Sequence, residues 1–314
     1  KNKKNKKWLI LDENNLLKYI RKDSIENNQF LIKNFNIITD IKQVNKEKIN
    51  RFKGLIIQNN KKLKIDEEQY IITLKRMDIP VMNNFEWCEK YLQRIPPKII
   101  EEEINGGKFI YPRFNIFEYR IKKIFEFCIS LILIFLCLPI FILAAVFIYF
   151  EDKGSIFYSQ IRSGIYGKKI KIYKLRTMRI NAEEDGVQWS SIDDKRVTKI
   201  GNFLRRTRID EIPQLISVLT GEMSLIGPRP ERPEIDIELI KEIPGYESRY
   251  NILPGISGWA QVNYPYGSSI KDSYNKLSYD LYYLRNFSTF LDVTILFKTI
   301  RVVLKNKNAY PNID

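Results

Sequence analysis

The chain has 314 residues, 44% of them hydrophobic, and a formal net charge of +15; it is long enough for two domains and apolar enough to bury a core, which argues against global disorder. It contains no histidine, which excludes Ser/His/Asp and Cys/His catalysis, His-ligated zinc and imidazole acid–base chemistry. Its three cysteines, Cys88, Cys128 and Cys137, lack CxxC spacing and read as buried apolar fillers in a reducing compartment, not as disulfide or metal partners.

Residues 1–112 alternate short apolar runs with helical patterns. Strands are predicted at Trp8–Leu11, near Phe35–Ile38, near Gly54–Gln58 and at Ile79–Met82, and helices near Asn15–Arg21, at Glu67–Met77 and at Phe85–Gln93. This βαβα order predicts a small doubly wound domain. The turn after the first strand, Asp12–Asn15, has no glycine to let a pyrophosphate approach a helix N-terminus, and Gly54 is the single glycine in the first 105 residues. The domain therefore reads as regulatory or structural. The first apolar run is only a strand's length, so no secretory signal is expected; Lys1 is not an initiator Met, which leaves upstream membrane helices open.

Pro96-Pro97 and Gly106-Gly107 punctuate an expected linker. Phe127–Phe150 then runs 24 residues without a charge, enough at about 1.5 Å per residue to cross a bilayer as a helix. Pro139 at its middle removes a backbone hydrogen bond and predicts a bend. Arg120, Lys122 and Lys123 precede the run, and Arg162, Lys168, Lys169, Lys171, Lys174 and Arg176 follow it. Basic residues on both sides favour a re-entrant helix broken at Pro139; a kinked span and a buried core helix are the alternatives.

Beyond this run, Ile156–Tyr158 and Ile170–Tyr173 flank Gly164 and Gly167 and predict a hairpin, followed by a polar loop over Asn181–Asp194. A helix is expected from near Asp210, with Ile212, Leu215, Ile216 and Leu219 as its apolar set, ending at Gly221. Leu291–Leu304 carries apolar residues at helical spacing with Lys298, Arg301, Lys305 and Lys307 around them, which suits a helix on an anionic membrane surface or an amphipathic core helix.

Chemistry concentrates at Asp210 and Glu211. Neighbours on a helix point about 100° apart, so two separate jobs are expected of them: one carboxylate attacks phosphorus while the other holds Mg2+. Against this, Thr207 with Asp210 resembles a capping box, in which the acids only stabilise a helix start. Arg205, Arg206 and Arg208 are placed to neutralise phosphate, and Gly227-Pro-Arg-Pro230 holds Arg229 on a proline-bounded turn. Pro254–Asn263 forms a glycine-rich bend followed by Trp259, Gln261 and Asn263, side chains suited to stacking and hydrogen bonding; the alternative is a buried β-turn with a core Trp.

In this order Gly154–Gln160, Ile172–Met178, Arg205–Leu215, Gly221–Pro230, Pro254–Asn263 and Tyr279–Tyr283 resemble the bacterial sugar transferase family, the monotopic polyprenyl-phosphate phosphoglycosyl transferases, over nearly all of residues 118–306. The resemblance implies an α/β chain in two domains. Residues 1–112 would form a degenerate Rossmann-like domain, and residues 113–314 a re-entrant membrane helix (about 118–150) followed by a compact, mainly helical α+β transferase domain. The implied reaction moves a sugar-1-phosphate from a UDP-sugar to undecaprenyl phosphate and releases UMP, the first membrane step of exopolysaccharide, capsule or O-antigen type assembly. Carried over by motif, Asp210 is the nucleophile that forms a phospho-aspartyl intermediate and Glu211 the Mg2+ ligand. Lys174, Arg205, Arg229 and Asp280 handle phosphate and substrate, with Trp259 and Gln261 as further contacts. The expected location is the bacterial inner membrane with the catalytic domain on the cytoplasmic face. The partners are the UDP-sugar, undecaprenyl phosphate and membrane lipid, with a homodimer left open. Nucleic acid is argued against by the uncharged run. Here Tyr264 and Ser257 replace a common Gly and Thr, which affects the sugar and uridine contacts. The competing reading is a membrane-anchored, non-catalytic interaction protein.

Overall fold

The computed structural model describes residues 6–11, 35–38, 52–58, 64–105, 112–113, 115–182, 194–265, 267 and 269–304. The turn Asp12–Asn15, the helix expected near Asn15–Arg21, most of the polar loop after Asn181, and Lys305 and Lys307 lie outside them. The chain divides into two compact units, Lys1–Phe109 and Ile110–Asp314.

In the first unit four parallel strands, β1 (Lys7–Leu11), β2 (Phe35–Ile38), β3 (Phe52–Ile57) and β4 (Val81–Asn83), stand in the order β2-β1-β3-β4. Strand β1 is central and buried on both faces, which is why it reads as an unbroken apolar run. Leu9, Leu11 and Leu55 pack on Ile71 and Leu74 of helix α1 (Ile65–Arg76). From the alternate positions Trp8 and Phe35 meet Trp87, with ring centroids 6.4 and 5.1 Å away. Asn83 and Glu86 cap the short helix α2 (Asn84–Trp87) reciprocally, and a π turn at Cys88–Leu92 completes the expected helical segment. The expected linker after Pro96 is instead largely helix α3 (Pro97–Asn105): proline is tolerated in a first turn, where its missing N–H is unneeded, and Ile99 and Ile100 are buried.

The second unit begins with α4 (Ile116–Asp152), capped by Asn115, whose Oδ1 accepts the Phe117 amide at 2.9 Å. Pro139 lies inside this element, which continues as helix on both sides of it. Lys122, Glu126, Ser130, Ala144 and Ile148 form its one buried stripe, whereas Phe125, Phe127, Leu131, Phe135, Leu143, Phe147 and Phe150 are exposed. The helix is long and apolar enough to cross a membrane, and little of it is covered by protein. An apolar surface of this extent needs lipid, and this is a membrane protein. Two sequence expectations change here. Lys122 is buried inside the protein, so it does not act as a flanking interfacial charge; Cys128 is exposed, so the buried-filler reading fits Cys88 but not Cys128.

The hairpin β5 (Phe157–Ser163) and β6 (Lys169–Leu175) follows, turning at Gly167 with φ +70°. Strand period places Lys174 on the inward face with Ile170 and Ile172, while Leu175 on the opposite face packs with Ala144, Ile148 and Leu204. Next come α5 (Lys199–Thr207), a 3-10 turn (Ile209–Gln214) and α6 (Leu215–Leu219). Short parallel strands β7 (Ser224–Ile226) and β8 (Gly255–Ser257) pair across α7 (Pro233–Glu242) and a second 3-10 turn (Tyr246–Asn251). The chain then forms α8 (Trp259–Asn263), α9 (Ile270–Asn286) and α10 (Thr289–Leu304). Helix α10 buries only Ile295 and exposes Phe290, Val293, Phe297, Ile300 and Leu304, so its apolar face is not a core face. Lys298 is withdrawn from that outer surface: it lies 4.1 Å from the Trp259 ring centre and donates to Asn263 Oδ1.

Candidate active site

A cavity of about 650 Å³ opens where β6, the 3-10 turn at Ile209–Gln214, the loop after β7 and helix α9 meet. Eleven Lys or Arg residues line it against four Asp or Glu, a balance that favours a polyanionic ligand. Asp210, Glu211, Lys174, Arg205, Arg229, Gln261 and Asp280 all line this cavity.

Asp210 and Glu211 sit on the 3-10 turn, not at an α-helix N-terminus. Arg208 enters the turn in the left-handed conformation (φ 59°), which separates it from α5. The capping reading of Thr207 is thereby overturned: its hydroxyl donates backward to Phe203 O and Leu204 O, closing the preceding helix. The adjacent carboxylates are both buried but held unlike each other. Glu211 Oε1 accepts from Lys174 Nζ at 3.1 Å and Arg229 at 2.6 Å, and Oε2 from Arg208 at 3.4 Å. Asp210 Oδ1 is buried without a hydrogen-bond partner. Burial, then the negative charge of Glu211, pushes the Asp210 carboxyl up to about 6. Burial acts the same way on Glu211, but Arg229, Lys174 and Arg208 outweigh it and hold that carboxyl well below the usual range. Burial lowers the Lys174 ammonium, against the attraction of Glu211.

Arg229 is presented by a crowded crossing of backbones. A Cβ on Gly227, Gly255 or Gly258 would collide with backbone of the facing segment, so these glycines let the turn after β7 lie against the loop around β8. Arg249 fixes the turn further: it donates to Arg229 O at 2.6 Å and to the Tyr246 hydroxyl at 2.6 Å, and pairs with Asp280 at 3.1 Å. Asp280 thus meets Arg229 through Arg249. Arg205 donates to Thr177 Oγ1 at 2.8 Å, and a side chain at Gly201 would strike the Thr177 backbone, so α5 is seated directly on this segment.

Gln261 donates to Ile256 O, leaving its Oε1 buried and unpartnered on the cavity wall. Trp259 of the same helix is 3% exposed and is not among the lining residues; it packs between Lys298 and Tyr282, behind the wall. Arg206 points away from the cavity and is exposed. Sequence reasoning missed Arg249 and Lys276, which belong to no charged motif; the nearest signal for Arg249 is its place just before Pro254-Gly255.

Two neighbouring carboxylates facing a cation-lined cavity suit metal-assisted chemistry on phosphate. Among the described residues no group of three or more Asp, Glu, Cys or His is arranged to hold a metal by itself. The donors do fit Mg2+, which commonly takes one or two protein carboxylates together with substrate phosphate oxygens. Asp210 Oδ1 lacks a donor, and Glu211 Oε2 has only its long contact to Arg208.

Residues 117–306 match the family model described as bacterial sugar transferase. A UDP-N-acetylgalactosamine-undecaprenyl-phosphate N-acetylgalactosaminephosphotransferase of Aeromonas hydrophila is 44% identical over 242 residues, 77% of this chain and 56% of that protein. UDP-glucose:undecaprenyl-phosphate glucose-1-phosphate transferases of Klebsiella pneumoniae and Escherichia coli (strain K12) are each 36% identical, over 67% and 60% of this chain and 46% and 41% of their own lengths. The chain spans about half the length of these curated relatives. With the matched region containing the cavity and both carboxylates, the chain belongs to the bacterial sugar transferase family.

Proposed function

We propose that this protein transfers a sugar-1-phosphate from a UDP-sugar to undecaprenyl phosphate, giving undecaprenyl-diphosphate-sugar and UMP. The observation that carries the proposal is Asp210: a buried carboxylate with an orphan oxygen, on the wall of a cavity dominated by Lys and Arg. Its oxygen attacks the sugar-linked phosphorus, the bond to the UMP phosphate breaks, and UMP leaves with that bridging oxygen. A phosphate oxygen of undecaprenyl phosphate then attacks the same phosphorus and the aspartyl carboxylate departs. Lys174, Arg205 and Arg229 orient the phosphates and offset their charge, which is most of what an enzyme contributes to phosphoryl transfer. Asp280 acts through Arg249, holding the Arg229 backbone. Glu211, together with substrate phosphate oxygens, would hold Mg2+, which would supply further neutralisation at phosphorus. The names of the relatives, one N-acetylgalactosamine and two glucose enzymes, support the substrate class and give the first two donors to test.

The packing of α4 supports a re-entrant path. Lys122 and Glu126 bond to β7, while Ala144 and Ile148 pack on Leu175 and Leu204. One folded body thus rests on both ends of the apolar run, and a simple span would require it on both sides of the bilayer. With UDP-sugars made in the cytosol, that body faces the cytoplasm at the inner membrane. The all-parallel β2-β1-β3-β4 order supports a degenerate Rossmann-like reading of the first unit.

The test uses the full chain in detergent with Mg2+, undecaprenyl phosphate, and UDP-N-acetylgalactosamine or UDP-glucose. UMP is released by the native protein and not by Asp210→Asn. Release that persists in the variant removes Asp210 as nucleophile; no release across a panel of UDP-sugars points to a non-catalytic membrane protein.

A further inference from the structure

The membrane helix enters the second unit through a polar turn that the reaction chemistry does not use. Lys122 is 4% exposed, and its ammonium donates at 2.9 Å to each of Ile226 O, the Tyr283 hydroxyl and Asp292 Oδ2. One helical turn later, Glu126 is 5% exposed; its Oε1 accepts from Ser224 Oγ at 2.5 Å and from the Leu225 and Ile226 amides at 3.0 and 3.4 Å. The two side chains also pair with each other at 3.3 Å. Both ends of the three-residue strand β7 are therefore held by a single helical turn. Three residues beyond that strand, across Gly227 and Pro228, Arg229 reaches Glu211 Oε1 at 2.6 Å.

A carboxylate and an ammonium buried at the edge of an apolar helix carry a large desolvation cost, and hydrophobic residues of similar size would anchor a helix at least as firmly. What an apolar contact lacks is direction: it fixes distance loosely, whereas hydrogen bonds to consecutive amides and a carbonyl fix a strand's position along its own axis. The proline after Gly227 limits the slack between that strand and the arginine.

We infer that Lys122 and Glu126 are positioning residues for Arg229, coupling the seating of the membrane helix to the placement of the guanidinium in the cavity. This rests on the phosphoryl-transfer reading of the site. Because displacement of a positioned group by about 1 Å can cost on the order of 100-fold in rate, loss of the bonds from Glu126 is expected to be visible in turnover.

A double-mutant cycle in UMP release separates coupling from anchoring. Glu126→Ala is expected to lower kcat by about 10- to 100-fold while KM for the UDP-sugar moves less than about 3-fold; Glu126→Gln, which keeps an acceptor oxygen over the same donors, restores most of the rate. In an Arg229→Ala background the same Glu126→Ala change is expected to cost less than about 3-fold. Equal losses in both backgrounds overturn the inference, because they describe a merely structural anchor. Arg229→Ala leaving UMP release intact overturns it together with the proposed role of that arginine. If Glu126→Ala does not fold, Ser224→Ala, which removes one hydroxyl from the same oxygen, goes through the same cycle and is judged by the same outcomes.

Discussion

Two regions of the second unit bury charge, and they do so to different ends. Around Lys122 the ammonium spends all three protons on protein acceptors, Glu126 Oε1 takes a hydroxyl and two amides while its Oε2 is buried without a partner, and none of these residues lines the cavity. Around Asp210 one carboxylate oxygen likewise has no donor, but the residue and the cations beside it border open volume. The difference separates support from reactivity. Charge enclosed by protein fixes one backbone against another, whereas charge that borders a basic cavity is completed by a ligand.

The hardest blow to this contrast comes from comparing one isosteric change in each region. Asp210→Asn is expected to reduce UMP release by about 10³-fold or more while the melting temperature at pH 7 stays level or rises. The sign follows from the raised carboxyl at about 6. Relative to an unfolded value of about 3.9, the fold binds this proton more tightly, so the group's contribution to stability is full below about pH 4 and lost as pH rises through about 6. Asparagine removes the charge that is disfavoured above that window, and with it this part of the pH dependence of melting. Lys122→Met does the reverse. It leaves buried Glu126 and partly buried Asp292 without their ammonium, and is expected to cost about 3 to 5 kcal/mol of stability, read from denaturant or thermal unfolding in detergent. Asp210→Asn melting far below the native protein, or Lys122→Met melting with it, would erase the distinction between the regions.

A smaller effect tests the metal inside the reactive region. Glu211→Gln keeps the shape but surrenders the charge, so Lys174, Arg229 and Arg208 lose their shared anion and the proposed Mg2+ loses a ligand. The Mg2+ concentration for half-maximal UMP release is expected to rise by about 10- to 100-fold, and chelation is expected to stop the native reaction until Mg2+ is restored. An unchanged Mg2+ dependence in the variant moves the metal away from Glu211.

The contrast also explains what could be read in advance. The hairpin and the Gly227–Pro230 turn were legible because strand alternation, glycine and proline act locally, whereas Lys174 and the roles in Arg205–Leu215 came from the family motifs. Lys122 and Glu126 were not, since their partners lie about a hundred or more residues away and a basic residue beside an apolar run has an equally good explanation at a membrane surface. A carboxylate at the mouth of that run was the available hint, because charge at a membrane boundary is expensive unless it is paired. Trp259 was open in the sequence between a stacking surface and a core position. Helix α8 sets Gln261 on the cavity wall and buries the indole behind it. The helix from Pro97 was hidden because its prolines read as linker punctuation, although Pro97 stands at the helix's first position.

The smallest expected effect bears on the turn that carries the two acids. Thr198 and Thr207 bracket the same helix, α5, and look interchangeable in the sequence. Thr198 is its N-cap: Oγ1 accepts the Gly201 amide at 2.9 Å, satisfying a donor that the helix itself cannot. Thr207 at the other end only donates back to carbonyls three and four residues earlier. Thr198→Ala is therefore expected to lower stability by about 1 kcal/mol, and Thr207→Ala by no more than a few tenths, both measured by urea unfolding with unchanged slope. The order reverses if Thr207 caps a helix containing Asp210, since its loss would then leave an amide unsatisfied beside the acids. Equal and small losses at both positions would instead mean that the seating of Gly201 on Thr177, not capping, fixes where α5 begins. Either result changes what holds Arg208 in its left-handed conformation, and that conformation is what turns Asp210 and Glu211 away from α5 and toward the cavity.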